Sequence, residues 1–148
     1  MMPPVTPMDQ LIVDELVRII DTVDSVDEVG SEPYIGQPKV RCAVEVIDGT
    51  ETGEQHGKAK RNAQLNVSVR VFQFDDPETG DSRKKLRRTL HAIRWQLAQC
   101  DMQQFPEGTR QIIVGSRQIL EPEQGSQYVA AEQTVAISYT ERFSEDTP

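Results

Sequence analysis

Few residues in this 148-residue chain have the type and spacing to do chemistry. His56 and His91 share no ligand spacing with each other or with Cys42 and Cys100, so no metal set is expected. Gly49, Gly53 and Gly57 recur at regular spacing, but the Gly-Lys-Ser/Thr ending of a phosphate loop is missing and they open no helix. Asp75 and Asp76 form an acidic pair. General acid–base catalysis would need them in a cleft, in environments that separate their roles. Pro77 and Gly80 after them mark an ordinary turn instead. No serine sits on a nucleophile elbow. The expectation is a protein that is not an enzyme, with no catalytic residues, no metal and no cofactor.

The charges are more informative. The net charge is −8 and the pI about 4.8, too acidic for nucleic acid over the whole surface. The distribution is uneven. Asp9, Asp14, Glu15, Asp21, Asp24, Asp27, Glu28 and Glu32 crowd the start against Arg18 alone, and the end is acidic too. The middle is basic, with Lys58, Lys60 and Arg61, then Arg83, Lys84, Lys85, Arg87 and Arg88. Opposite signs in different regions suit docking between unlike surfaces. Only 36% of residues are hydrophobic, a thin supply for covering sheet and helix faces within one copy.

The elements that position these residues follow from periodicity. Thr6, Pro7 and Asp9 form a helix start, and Leu11, Ile12, Leu16, Ile19, Ile20 and Val23 continue it to about Asp24. Lys39 to Ile47 reads as a strand with Val40, Cys42, Val44 and Val46 on one face. Residues 48–62 are polar and contain three glycines, which predicts a long mobile loop. Leu65, Val67, Val69 and Val71 define the clearest strand, with a phase shift at Phe72 and Phe74 that predicts a bulge or a change of neighbour there. Ser82 caps a second helix whose stripe is Leu86, Leu90, Ile93, Leu97 and Cys100, leaving Trp95 off it as a possible interface anchor. Arg83, Lys84 and Lys85 stand at its N-terminus, where the helix dipole disfavours cations. Two strands follow, Gln111 to Leu120 and Tyr128 to Phe143, the latter bulged near Glu132 and Gln133. A loose tail covers about 144–148. The two cysteines read as core fillers in a reducing compartment, and no apolar run reaches membrane-span length. The sum is one α+β domain: a mixed or antiparallel sheet of about four strands with two helices packed on one face.

This arrangement resembles the tail terminator (tail completion) proteins of long-tailed bacteriophages. The likeness rests on the N-terminal helix ending near Val23, the polar 48–62 stretch and the strand Leu65 to Val71. It continues through the helix from Arg83 to the closing strand Val135 to Tyr139, and so covers about residues 7–143. It is a likeness of pattern and size, without a diagnostic motif. It implies a homohexameric ring in the virion, at the junction of tail and neck, assembled in the host cytoplasm. Such a ring caps the tail tube, stops its growth and joins the tail to the head. The implied partners are other copies of the chain, the tail tube protein and a neck or connector protein. DNA passes through the ring without sequence-specific binding, and no membrane is involved.

Within that frame, Arg83, Lys84, Lys85, Arg87 and Arg88 are candidates for a subunit contact or for the DNA channel, and Lys58, Lys60 and Arg61 for a tube-contact loop. Two rival readings stand beside it. One is a different neck or connector protein, for which a twelvefold ring would speak. The other is a small nucleic-acid-binding domain using the basic patches, which lack interleaved aromatics.

Overall fold

The computed structural model describes residues 6–34, 36–122 and 124–142. The expected tail at 144–148 and the strand end at Phe143 lie outside the described residues. Helix α1 (Met8–Asp21) forms because Ile12, Val13, Leu16, Ile19 and Ile20 line one side of a helical turn pattern, and all five are buried. It stops at Asp21, short of the expected Asp24, where Thr22 Oγ1 donates to Ile19 O at 2.6 Å. Pro7 stands at the N-cap and no side chain caps the helix, so Thr6 does not play the expected part.

A short strand β1 (Glu28–Gly30) follows, then β2 (Cys42–His56) and β3 (Lys60–Phe74). Helix α2 (Ser82–Gln99) leads through a single 3-10 turn into β4 (Thr109–Leu120) and β5 (Tyr128–Arg142). Among the described residues the sheet is mixed and five-stranded, in the order β1-β2-β3-β5-β4, with only β1 and β2 parallel. The α+β expectation holds, and the strand missed was β1. Its three residues are too few to show an alternation.

Both helices cover the same sheet face. The core joins the buried α1 residues and Leu86, Leu90, Ile93 and Leu97 of α2 to Val44, Val46, Leu65, Val67, Val69, Val71, Ala131, Val135, Ile137 and Tyr139. The alternation in β3 therefore reports this face as expected. Phe72 and Phe74 need no bulge, because β3 pairs with β5 without interruption from Lys60 to Phe74. Phe72 instead belongs to the face away from the helices, where Tyr34 meets it edge-on at 6.0 Å; Phe74 meets Tyr128 there at 5.8 Å. The bulge expected in β5 lies in its neighbour: β4 carries an extra residue between Val114 and Arg117. Buried Gln133 staples that bulge, its Nε2 lying 2.8 Å from Gly115 O and 3.1 Å from Ser116 O.

The largest departure concerns residues 48–62. This stretch is a β-hairpin, with β2 and β3 paired out to His56 and Lys60 around a turn at residues 57–59. Each glycine has a local task. Gly57 takes φ +75 at the turn, and a side chain at Gly53 would collide with the Arg61 guanidinium that lies across it. Gly49 sits in a bulge between Asp48 and Glu51.

The face away from the helices stays largely open. A charge ladder crosses it: Glu45, Arg70 and Glu132 stand directly opposite one another on β2, β3 and β5. Arg70 Nε donates to Glu132 at 2.9 Å and its Nη1 lies 3.5 Å from Glu45. Glu45 is only 3% exposed and also accepts from the Tyr34 N–H at 3.0 Å. Removing Arg70 would strand a buried carboxylate. Arg70→Met is expected to cost about 2 kcal/mol, below the fully buried range because Arg70 is itself half-exposed. Adding Glu45→Gln should recover much of that loss. Chemical denaturation of the single and double variants checks it, and equal loss in both would contradict the pairing.

Candidate functional site

The sequence candidates fall into two separate places. Helix α2 turns Leu86, Thr89, Leu90, Ile93 and Leu97 inward, so Arg83, Lys84, Arg87 and Arg88 must face outward, and all four are exposed. Exposed His91, Arg94 and Trp95 continue that exterior toward the helix end. Arg94 was not among the sequence candidates, although its spacing of seven from Arg87 places it on the same side. The helix contains no acidic residue at all. Lys85 differs from the others, being half-buried with Nζ 3.5 Å from Asp81 Oδ1.

The start of α2 is held by its acidic turn. Asp81 stands at the N-cap without a side-chain capping bond, and Ser82, the expected cap, is instead the first helical residue. Ser82 Oγ donates to Asp75 Oδ1 at 2.7 Å, and Asp76 Oδ1 accepts the Glu78 N–H at 2.9 Å. Asp75 and Asp76 are thus turn groups, as their surroundings in sequence imply. The Thr79 hydroxyl bond, assisted by Lys85, holds the Asp81 carboxyl below its usual range. Lys85 and Arg88 also border a hollow of about 330 Å³ that includes Asp24 and Asp27, so part of the basic surface looks onto the acidic α1–β1 connection.

Lys58, Lys60 and Arg61 do not form one contact loop. Lys58 is exposed at the hairpin turn and Lys60 is exposed at the start of β3. Arg61 faces the helix side and is committed within the chain, with Nη2 2.8 Å from Glu51 and Nη1 3.6 Å from Glu141. The Tyr139 hydroxyl donates to the same Glu51. Burial and that carboxylate together push the Tyr139 phenol well above its usual range. Arg61 is thus tied within the sheet, while Lys58 and Lys60 stay exposed.

The remaining candidates for chemistry stay apart. Cys42 is buried and Cys100 half-buried, both as free thiols, and burial pushes Cys42 up to about 11. Among the described residues no three His, Cys, Asp or Glu side chains stand together as a metal set. Among them, too, no helix is long and apolar enough to cross a membrane. What the geometry offers is surface: a cation-only helix exterior ending in an indole, and an open sheet with long free edges. No protein-family model matches the chain, and a search of curated proteins found no match to its sequence.

Proposed function

We propose that this protein is a structural component of a phage virion: a tail terminator that forms a ring, caps the tail tube, ends its growth and offers the neck a seat. The observation that carries the reading is the exterior of α2. Arg83 and Arg87 are like charges one turn apart, as are Lys84 and Arg88, and such pairs cost a few tenths of a kcal/mol each. The dipole adds to that cost in the first turn, which holds no acid of its own, and Asp81 at the N-cap alone offsets it. Of these basic residues only Lys85 has an ion-pair partner among the described residues. A helix exterior of exposed cations, with only Lys85 ion-paired and only Lys85 and Arg88 beside Asp24 and Asp27, on a chain of net charge −8 is suited to an external acidic group. A neighbouring copy supplies one, and the phosphates of DNA in a central channel supply another. Exposed Trp95 adds an anchor of the kind enriched at interfaces. The neck-connector alternative shares all of this and differs in ring number.

Electron microscopy of tail tubes assembled with and without the protein tests the role. Tubes should end at a uniform length under a ring-shaped cap when it is present. Tubes that grow on without a cap would refute the reading, and a twelvefold ring on the head side would favour the connector role.

Reversing two of these exposed cations gives a sharper prediction. Arg87→Glu with Arg88→Glu should leave the melting temperature within about 3 °C of the parent, since both side chains are exposed. Assembly should weaken by about tenfold or more. Ring formation and tail completion at parental levels would remove these residues from the interface.

A further inference from the structure

We propose that neighbouring copies in the ring join edge to edge, β4 of one copy adding antiparallel to the outer half of β2 in the next, so that one sheet runs through the contact. The inference rests on the ring reading above and adds a sheet-edge contact to the α2 surface named there.

The sheet has two long free edges. β1 pairs only with Ala43, Val44 and Glu45 of β2, so from Val46 to His56 no strand lies on that side among the described residues. Among the described residues β4 pairs only with β5, so its other edge is bare; Gln118 to Leu120 stand level with Glu45 to Ala43, where β1 lies, so Thr109 to Arg117 is the part free to add to β2. Natural proteins blunt such edges with charges, above all lysine, with proline, with bulges or with a covering element. Neither stretch contains a lysine or a proline; both carry charges and a bulge, between Asp48 and Glu51 and between Val114 and Arg117, and the charges differ in sign. Instead β4 leaves Ile113 49% exposed.

The edges fit one another in three respects. The first is direction. β2, β3, β5 and β4 alternate, so β2 and β4 run oppositely, and a second copy in the same orientation presents its β2 antiparallel to this β4. The second is charge. β4 carries Arg110 and Arg117 with no acid, and the free part of β2 carries Asp48, Glu51 and Glu54 with no lysine or arginine. Glu51 is held by Arg61, while Asp48, Glu54, Arg110 and Arg117 have no ion-pair partner among the described residues.

The third is height. Followed across the sheet through Gln133 and Val69, Arg117 stands level with Val46, two residues from Asp48 and on the same, helix-facing side. Ile113, through Ala136 and Asn66, stands one diagonal step from Ile47 on the open side. Gln111, through Ser138 and Gln64, stands level with Thr52, and its neighbour Arg110 borders the same open-side hollow as Glu54. A side-by-side repeat therefore brings Arg110 toward Glu54, Ile113 toward Ile47 and Arg117 toward Asp48, each within diagonal reach. The contact uses a different strand from each copy, as a closed ring requires.

Two double variants test this by light scattering on a size-exclusion column, beside the unaltered chain. Arg110→Glu with Arg117→Glu makes both edges acidic, and Asp48→Lys with Glu54→Lys makes both basic. Each alone is expected to lose the ring and run as a monomer. An equimolar mixture is expected to restore it, since every contact in an alternating ring then pairs unlike charges; a variant that had merely misfolded could not be rescued so. Where a double variant does not fold, Arg117→Glu and Asp48→Lys serve singly. A ring from either variant alone, or two monomers that fail to assemble on mixing, overturns the edge pairing and leaves the ring reading standing. An unaltered chain that never assembles overturns both.

Discussion

Replacing Leu90 by alanine should lower stability by about 3 kcal/mol, whereas replacing Trp95 five residues along should leave it nearly unchanged. Leu90 is fully buried, in the middle of the stripe by which α2 seals the sheet, between Leu86 and Ile93. Its removal leaves a cavity in a dense region where strand side chains cannot collapse inward. Trp95 is 56% exposed on the opposite side of the helix, so truncation removes little buried area. Its effect belongs on assembly, where Trp95→Ala should weaken ring formation. Thermal melting and sedimentation of the two variants separate the roles. A large stability loss in the Trp95 variant would show that the indole is part of the fold rather than an anchor.

Gly108→Ala should be about as damaging as the Leu90 change, at about 3 kcal/mol, although it adds an atom instead of removing several. Gly108 has φ +102, a conformation that side-chain-bearing residues rarely adopt. A Cβ there would stand 2.5 Å from Thr140 O and 3.2 Å from Met8 Cε. The oxygen is backbone in the middle of the sheet end and cannot swing away. Gly108 O also accepts the Thr140 N–H at 2.8 Å, which ties the entry to β4 against β5. Denaturant unfolding measures the loss, expected to correspond to a fall in melting temperature of about 6–12 °C. Near-parental stability would mean that this approach is looser than described.

Both predictions rest on features of different visibility. The burial of Leu90 is legible from the spacing of Leu86, Leu90, Ile93 and Leu97 alone, as is the β3 face from Leu65 to Val71. Gly108 reads only as a chain break beside Pro106, because its partner Thr140 is distant in sequence. The 48–62 hairpin is illegible for another reason. Its pairing lies within the sheet, but the helix layer does not bury its outer end, so the alternation of apolar and polar residues that marks a strand is missing. Its glycines suggest a loop, yet only Gly57 supplies a turn, and Gly53 makes room for Arg61. Glu45 and Gln133 are buried polar residues that pattern reading assigns to the surface or to a bulge. Their burial depends on Arg70 and on the β4 bulge, both set by pairing between strands.

The candidate surfaces divide in the same way. The basic exterior of α2 follows from helical spacing and composition. Arg61 looked equally available in sequence, and only the pairing of β2, β3 and β5 brings Glu51 and Glu141 to it. The free edges of β2 and β4 have no sequence signature at all, since an edge is defined by what does not lie beside it.

The proposed role requires this acidic chain to complete itself through contacts with its own copies. The mass of the purified particle in solution, measured by sedimentation equilibrium with and without tail tube protein, tests that most directly. A discrete closed assembly of identical copies that binds the tube end is the expected result. A particle that stays a single chain at every concentration and ignores the tube would contradict it.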